Sequence, residues 1–306
     1  MSDSIPEAPA VPSRSIVTGG IQATLFALAL PALLEQLLTF FVGFYDTYLS
    51  GQISAAATNA VGLATYVGWL GGMIFRLVGV GAAALVARHW GAGDVAEANR
   101  TTNRALALVS VMGVLVSAAL FLAAPLFTDL LGMQGEARGI AIHYLRLDSL
   151  CYFFTGFTLV GGAILRASGD TRTPMLIYAV VSVFNVFAAY SFVYGFGPIP
   201  SLGVSGIVTG TVCARVFGGL LIVAGYARGF RGLRLNLREW KLRGETVARI
   251  LRIGIPAAAD GGLAWVGIFL FLMVVSRGTN GVADDVTLAA HVVGVRVEAL
   301  PSSSPF

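Results

Sequence analysis

The stretch LPALLEQLLTFFVGFYDTYLSG, residues 30–51, decides the fold of this chain. It carries two carboxylates, Glu35 and Asp46, and no basic residue. Its apolar residues run on without alternation and for too long to be a half-buried strand. About 20 such residues cross the hydrocarbon core of a bilayer as a helix. In lipid a helix is also the form that satisfies its own backbone polar groups. The stretch therefore reads as a transmembrane helix with an ionisable group well inside it.

The rest of the chain repeats this pattern. Of its 306 residues 56% are hydrophobic and 12% are charged, against about 25% charged in soluble domains. Mean hydropathy is +0.80. Such a chain cannot cover itself with polar surface in water, so its solvent and first partner is the lipid bilayer. Apolar runs between short polar breaks predict eight spans: Ile21–Leu49, Ala55–Ala87, Ala98–Leu122, Ile140–Leu165, Pro174–Tyr194, Gly203–Ala227, Val247–Ser276 and Val286–Leu300. Pro31 and Pro256, early in long spans, predict bends. Gly62, Gly68, Gly71, Gly72, Gly79 and Gly81 in the second span let helix backbones approach closely. The polar, Pro-rich residues 1–18 are expected to be a disordered cytoplasmic tail without a cleavable signal.

Basic residues fix the orientation. One set of connections holds Arg14, Arg88, Arg100, Arg104, Arg166 and Arg172, and its longest member holds eight more between Arg228 and Arg252. The opposite connections hold only Arg138 and Arg277, so the count is fourteen against two. The positive-inside rule places the N-terminus and the richer set in the cytoplasm. Arg76 and Arg215 lie inside spans and are read as pairing with a carboxylate or reaching to the membrane edge.

Several function classes drop out. A basic stripe interleaved with aromatics is missing, so nucleic acid is not an expected partner. No G-x-x-x-x-G-K-[ST] loop occurs, so ATP is not the expected energy source. Cys151 and Cys213 sit in apolar runs as small packing residues, and His89, His143 and His291 lack metal-ligand spacing. Without a nucleophile, base and metal set, an enzyme is not expected, and the only cofactor would be a coupling ion.

An internal repeat adds to this. Leu30-Pro31-Ala32-Leu33-Leu34-Glu35 opens the first span and Ile255-Pro256-Ala257-Ala258-Ala259-Asp260 opens the seventh. Each places a carboxylate four residues after a proline. Six spans lie between the copies, which marks the seventh as the start of a second lobe of like orientation.

Four stretches together resemble the multidrug and toxic compound extrusion (MATE) family. They are residues 30–51 above, VGVGAAALVARHWGAGD at 78–94, ILRASGDTRTPM at 164–175 and FNVFAAYSFVYGFGPIPSLGVSG at 184–206. The likeness runs from about residue 20 to 300. It implies an all-α membrane protein of two six-helix lobes that alternates between inward- and outward-facing forms, driven by protons or sodium. The implied activity is export of small amphipathic or cationic organic compounds across the plasma membrane of a bacterium. After Glu298-Ala299-Leu300 the chain closes with PSSSPF, where the family would continue. The expected fold is therefore a MATE-like bundle: one complete six-helix lobe at 19–228, a basic cytoplasmic linker at 229–246, and at 247–306 the first one to two helices of a second lobe, left incomplete by truncation, a frame shift or fragmentation.

Candidate site residues follow from the same resemblance. Asp46 matches the aspartate implicated in coupling, and physically it would take up a proton or cation, because burial penalises its charged form. The competing reading makes it a helix cap near the outer surface. In archaeal members that aspartate is supported by an Asn and an Asp on the fifth span and a Thr on the sixth. Asn185 and Thr211 match the Asn and the Thr, whereas Ala189 stands where such members carry the Asp. Asp260 is the acidic residue of the seventh span and a second candidate for ion coupling. Glu35 would line the cavity and attract cationic substrates, or else be a hydrogen-bonded structural group. A flippase of lipid-linked glycans shares the helical plan, though it would want more deep cations than Arg76 and Arg215. An inactive truncated remnant is the other alternative.

Overall fold

The computed structural model describes residues 21–198, 200–230, 232–277 and 285–302. Among them the chain is helical: α1 Ile21–Ile53, α2 Ala55–Gly91, α3 Val95–Leu130, α4 Gly135–Ser149, α5 Tyr152–Ala167, α6 Arg172–Tyr194, α7 Val204–Arg228, α8 Gly244–Arg277 and α9 Asp285–Ser302. A short 3-10 turn, Leu237–Glu239, lies in the α7–α8 connection. The expected tail at 1–18 lies outside the described residues.

Five of these helices, α2, α3, α6, α7 and α8, are long and apolar enough to cross a membrane, and the bent pair α4 and α5 makes a sixth if taken as one span. At 33 residues, α1 also has the length. The surface is that of a protein dissolved in lipid: Leu122 and Leu263 are 76% and 78% exposed. Small and aromatic residues of α2, α3 and α5 fill the centre, with Phe75, Val109 and Val160 fully buried.

The connections are tight because the local sequence stops one helix and caps the next. Ser54 accepts a bond from the Ala57 N–H at 3.0 Å and starts α2. Gly93, at φ +78°, ends the reversal after α2, and Asp94 then accepts from the Glu97 N–H at 3.0 Å to cap α3. Asp170 does the same at α6, accepting from the Thr173 N–H at 3.0 Å. These are ordinary helix N-caps.

The structure corrects the sequence reading in three places. The fourth span is two helices, bent by 52°. Around the break, Ser149 Oγ donates to the Arg146 carbonyl and Cys151 Sγ to the Asp148 carbonyl, each three residues back. The Leu150 N–H also turns to the Leu147 carbonyl. Such short-range bonds interrupt the α pattern, and the sequence reading took this run as one span because its hydropathy never falls. Second, Arg100 and Arg104, counted with a connection, stand within the first three turns of α3. Third, the described residues of the eighth predicted span hold only a shorter apolar helix, Val286–Val295.

Two contacts bring α8 onto α2. A Cβ on Gly81 would overlap the Ile250 carbonyl, and one on Gly254 would overlap that of Leu77. The two backbones thus touch, and only glycine permits it. Trp265 Nε1 donates to the Tyr66 carbonyl at 2.8 Å, and Val292 of α9 packs where Gly62 leaves space. The segment after α7 is docked as well. Asn103 Nδ2 donates to the Arg234 carbonyl at 2.8 Å, the Asn236 N–H donates to Asn103 Oδ1 at 2.7 Å, and the Arg234 N–H donates to Asn99 Oδ1 at 2.8 Å. Two asparagines one helical turn apart on α3 so satisfy an otherwise irregular backbone.

Candidate functional site

The site is built where α1, α6 and α7 meet. Asp46 stands seven residues before the end of α1, about 10 Å along it, too deep to cap the helix. Thr211 stands at a matching depth from the start of α7, and Asn185 lies nine residues before the end of α6. The three are buried, at 8%, 7% and 4% exposure. Gly210 sets the approach of α6 to α7: a Cβ there would lie 2.6 Å from the Ala189 Cα. That closeness aims Thr211 at both partners. Its hydroxyl donates to Asp46 Oδ2 at 3.4 Å, and Asn185 Nδ2 donates to Thr211 Oγ1 at 3.4 Å. These are long for hydroxyl bonds, which are usually near 2.7–2.8 Å, so the side chains face one another without being locked. Ala189 is fully buried beside them and contributes no charge.

The other two sequence candidates lie elsewhere. Glu35 is bound by Arg166 at the end of α5, whose Nη1 donates to Oε1 at 3.0 Å and to Oε2 at 2.9 Å. Its charge is answered within the protein. Asp260 is on the exposed side of α8, and among the described residues no hydrogen bond or ion pair joins it to the Asp46 group. Arg76 is exposed on α2.

A second charged group was not singled out from the sequence. Arg215 stands one turn after Thr211 on α7, on the same face. Its Nη1 donates to Asp148 Oδ1 at 2.8 Å and to Cys151 Sγ at 3.3 Å. Tyr152 donates its hydroxyl to Asp148 Oδ2 at 3.2 Å. The Asp148 side chain is 5% exposed and that of Arg215 33%. Gly71 of α2 makes room for the Tyr152 ring, which a Cβ would overlap. The group holds the broken fourth span against α7. One signal was available: an acid and a base, each deep in an apolar run, seek each other in lipid.

Chemically, the first group offers a carboxylate with a hydroxyl and an amide directed along a line towards it. It can hold a proton or, with added oxygen ligands, a small cation. The second is a satisfied ion pair. Among the described residues no cluster of His, Cys, Asp and Glu has the arrangement to hold a metal ion.

Comparison with known proteins places these features in context. The MatE family model matches residues 31–191. A probable multidrug resistance protein NorM from Thermotoga maritima is 31% identical over 290 residues, covering 92% of this chain and 59% of that protein. The multidrug resistance protein PmpM of Pseudomonas aeruginosa is 27% identical over 304 residues, 97% of this chain and 62% of that one. Among solved structures, the inward-facing form of a multidrug resistance MATE family transporter of the MOP superfamily superposes with a TM-score of 0.76 at 25% identity, over 87% of this chain and 58% of that one. An outward-facing form superposes with a TM-score of 0.79 at 24% identity, over 94% and 62%. The chain thus spans about three-fifths of the length of the relatives it matches.

Proposed function

Because this chain belongs to the MatE family, we propose that it works in ion-gradient-driven export of small organic compounds, amphipathic or cationic, across the bacterial plasma membrane. The observation that carries the proposal is the convergence of Asp46, Asn185 and Thr211, from three helices, at one depth inside the lobe. An ionised carboxylate is costly in hydrocarbon. Whether Asp46 is charged therefore depends on whether water reaches it, and that depends on which side of the lobe is open. A proton or sodium ion that binds one form better than the other shifts the equilibrium between them. This is the link between gradient and transport that antiport requires.

In this reading the basic end of the lobe and the N-terminus face the cytoplasm. Residues 19–228 act as one lobe, 229–246 as a docked connection and 247–306 as the start of a second. Glu35 holds α1 to α5 through Arg166, and that pair has no net charge with which to attract a cationic substrate. Asp260 is the candidate for a second coupling group. The glycan flippase reading is less well supported, because Arg215 already answers Asp148 and Arg76 lies on the exposed surface.

The test is dye export from proteoliposomes under an imposed proton or sodium gradient. Asp46→Asn keeps the shape and removes the charge change, so it should abolish gradient-driven export with folding intact. Normal export by Asp46→Asn, with loss in Asp260→Asn, would move coupling to the second lobe. Normal export by both would end the proposal.

A further inference from the structure

Five arginines of the described residues have a carboxylate of their own: Arg100, Arg104, Arg138, Arg166 and Arg215. Three others, which meet in one place, have none. Arg88 near the end of α2, and Arg249 and Arg252 near the start of α8, line a cavity of about 630 Å³ together with His89. The one acid there, Asp94, already accepts the Glu97 N–H as the cap of α3. Three guanidinium groups therefore face a shared space with a single, occupied carboxylate.

The fold holds them there. The Gly81–Ile250 and Gly254–Leu77 backbone contacts pin α2 to α8, and the arginines project just beyond that crossing. Like charges held together this way repel, and Asp94 can answer only one of the three. The inner wall of the cavity is apolar, from Leu85 and Ile253. Ile253 is itself 38% exposed at the mouth of the cavity. A basic rim above an apolar wall matches a molecule with an anionic head and a hydrocarbon tail. Basic pockets between transmembrane helices at a cytoplasmic surface bind such head groups.

We propose that this crevice between α2 and α8 is a binding site for the phosphate head group of an anionic phospholipid. The phosphate bridges Arg88 to Arg249 and Arg252, and the acyl chains start against Leu85 and Ile253. The site needs only that this end of the bundle meet an anionic leaflet, so it stands or falls independently of the export reading. A general excess of basic residues at the cytoplasmic side would attract anionic lipid diffusely, without distinguishing these three arginines from others at the same end.

The experiment is a thermal-melting titration of the 306-residue chain in neutral detergent with phosphatidylglycerol, phosphatidylcholine or inorganic phosphate at constant ionic strength. Phosphatidylglycerol should raise the melting temperature saturably, and the other two should not. Changing Arg88, Arg249 and Arg252 together to Gln should weaken the half-saturating concentration by on the order of a hundredfold. Changing Arg172, Arg228 and Arg238 to Gln, an equal loss of charge at the same end but outside the cavity, should leave it within about twofold of the parent. If the triple cavity variant folds poorly, Arg249→Gln alone, on an exposed position, should still weaken the lipid effect severalfold. Equal weakening by the two triple variants would overturn the site in favour of diffuse attraction. A full shift with inorganic phosphate alone would overturn the lipid assignment.

Discussion

Replacing Arg215 with Leu strands a carboxylate inside the bundle. The Asp148 side chain is 5% exposed and takes its 2.8 Å bond from Arg215; the Tyr152 hydroxyl stays, but it brings no charge. Breaking a buried pair from one side costs roughly 3–5 kcal/mol. The reciprocal change, Asp148→Leu, leaves a guanidinium whose side chain is already 33% exposed and can turn towards water or the membrane edge. That change should cost less, about 1–3 kcal/mol. The double change removes both charges and leaves apolar groups of fair size, so its stability should return to within about 1 kcal/mol of the parent. The expected coupling in the double-mutant cycle is at least about 2 kcal/mol. Reversible unfolding of the purified chain in mixed micelles with rising dodecyl sulfate measures all four stabilities. Additive single effects, or an Arg215→Leu cost below about 0.5 kcal/mol, would show that the pair does not hold the broken span to α7.

Three further outcomes follow from the geometry. Gly81→Leu drives a side chain into the Ile250 carbonyl and should cost about 1–3 kcal/mol or more; a crosslink between α2 and α8 should also form less readily, and unchanged stability would contradict the backbone contact. Asn103→Ala removes two bonds to the docked segment at Arg234 and Asn236. Tryptic cleavage at Arg234 or Arg238 should then speed up by about 5- to 30-fold, which is one to two kcal/mol of lost docking. Glu35→Gln weakens the clasp to Arg166, so it should lower stability by about 1–2 kcal/mol, and Glu35→Gln combined with Arg166→Gln, which removes both charges, should change affinity for a cationic dye no more than for a neutral one. A selective loss of cation affinity would instead make Glu35 a substrate ligand.

How far the sequence carried this depends on the kind of signal involved. The spans from α2 to α8 were legible because hydropathy is a local property of about 20 residues, whereas the eighth holds only a shorter apolar helix, Val286–Val295. Asp46, Asn185 and Thr211 were found through family likeness, and their meeting required the Gly210 approach that no local pattern states. The break at Leu150–Cys151 was missed because side-chain bonds to nearby carbonyls leave hydropathy unchanged. Arg215 was read as a base inside a span that pairs with a carboxylate or reaches the membrane edge, but its partner lies 67 residues away and spacing along the chain does not reveal it. Glu35 shows the opposite failure: its repeat with Asp260 is present in sequence, yet one carboxylate is clasped and the other exposed, because among the described residues no arginine pairs with Asp260 as Arg166 does with Glu35.

The most direct test of the central claim is ion exchange at Asp46 itself. Purified protein in weakly buffered micelles receives a cationic substrate, and proton release and displacement of radioactive sodium are measured together. The account predicts release of one ion or the other by the parent, none by Asp46→Asn, and a shifted midpoint in Thr211→Val, which removes the hydroxyl donated to Asp46. Undiminished ion release from Asp46→Asn would contradict it.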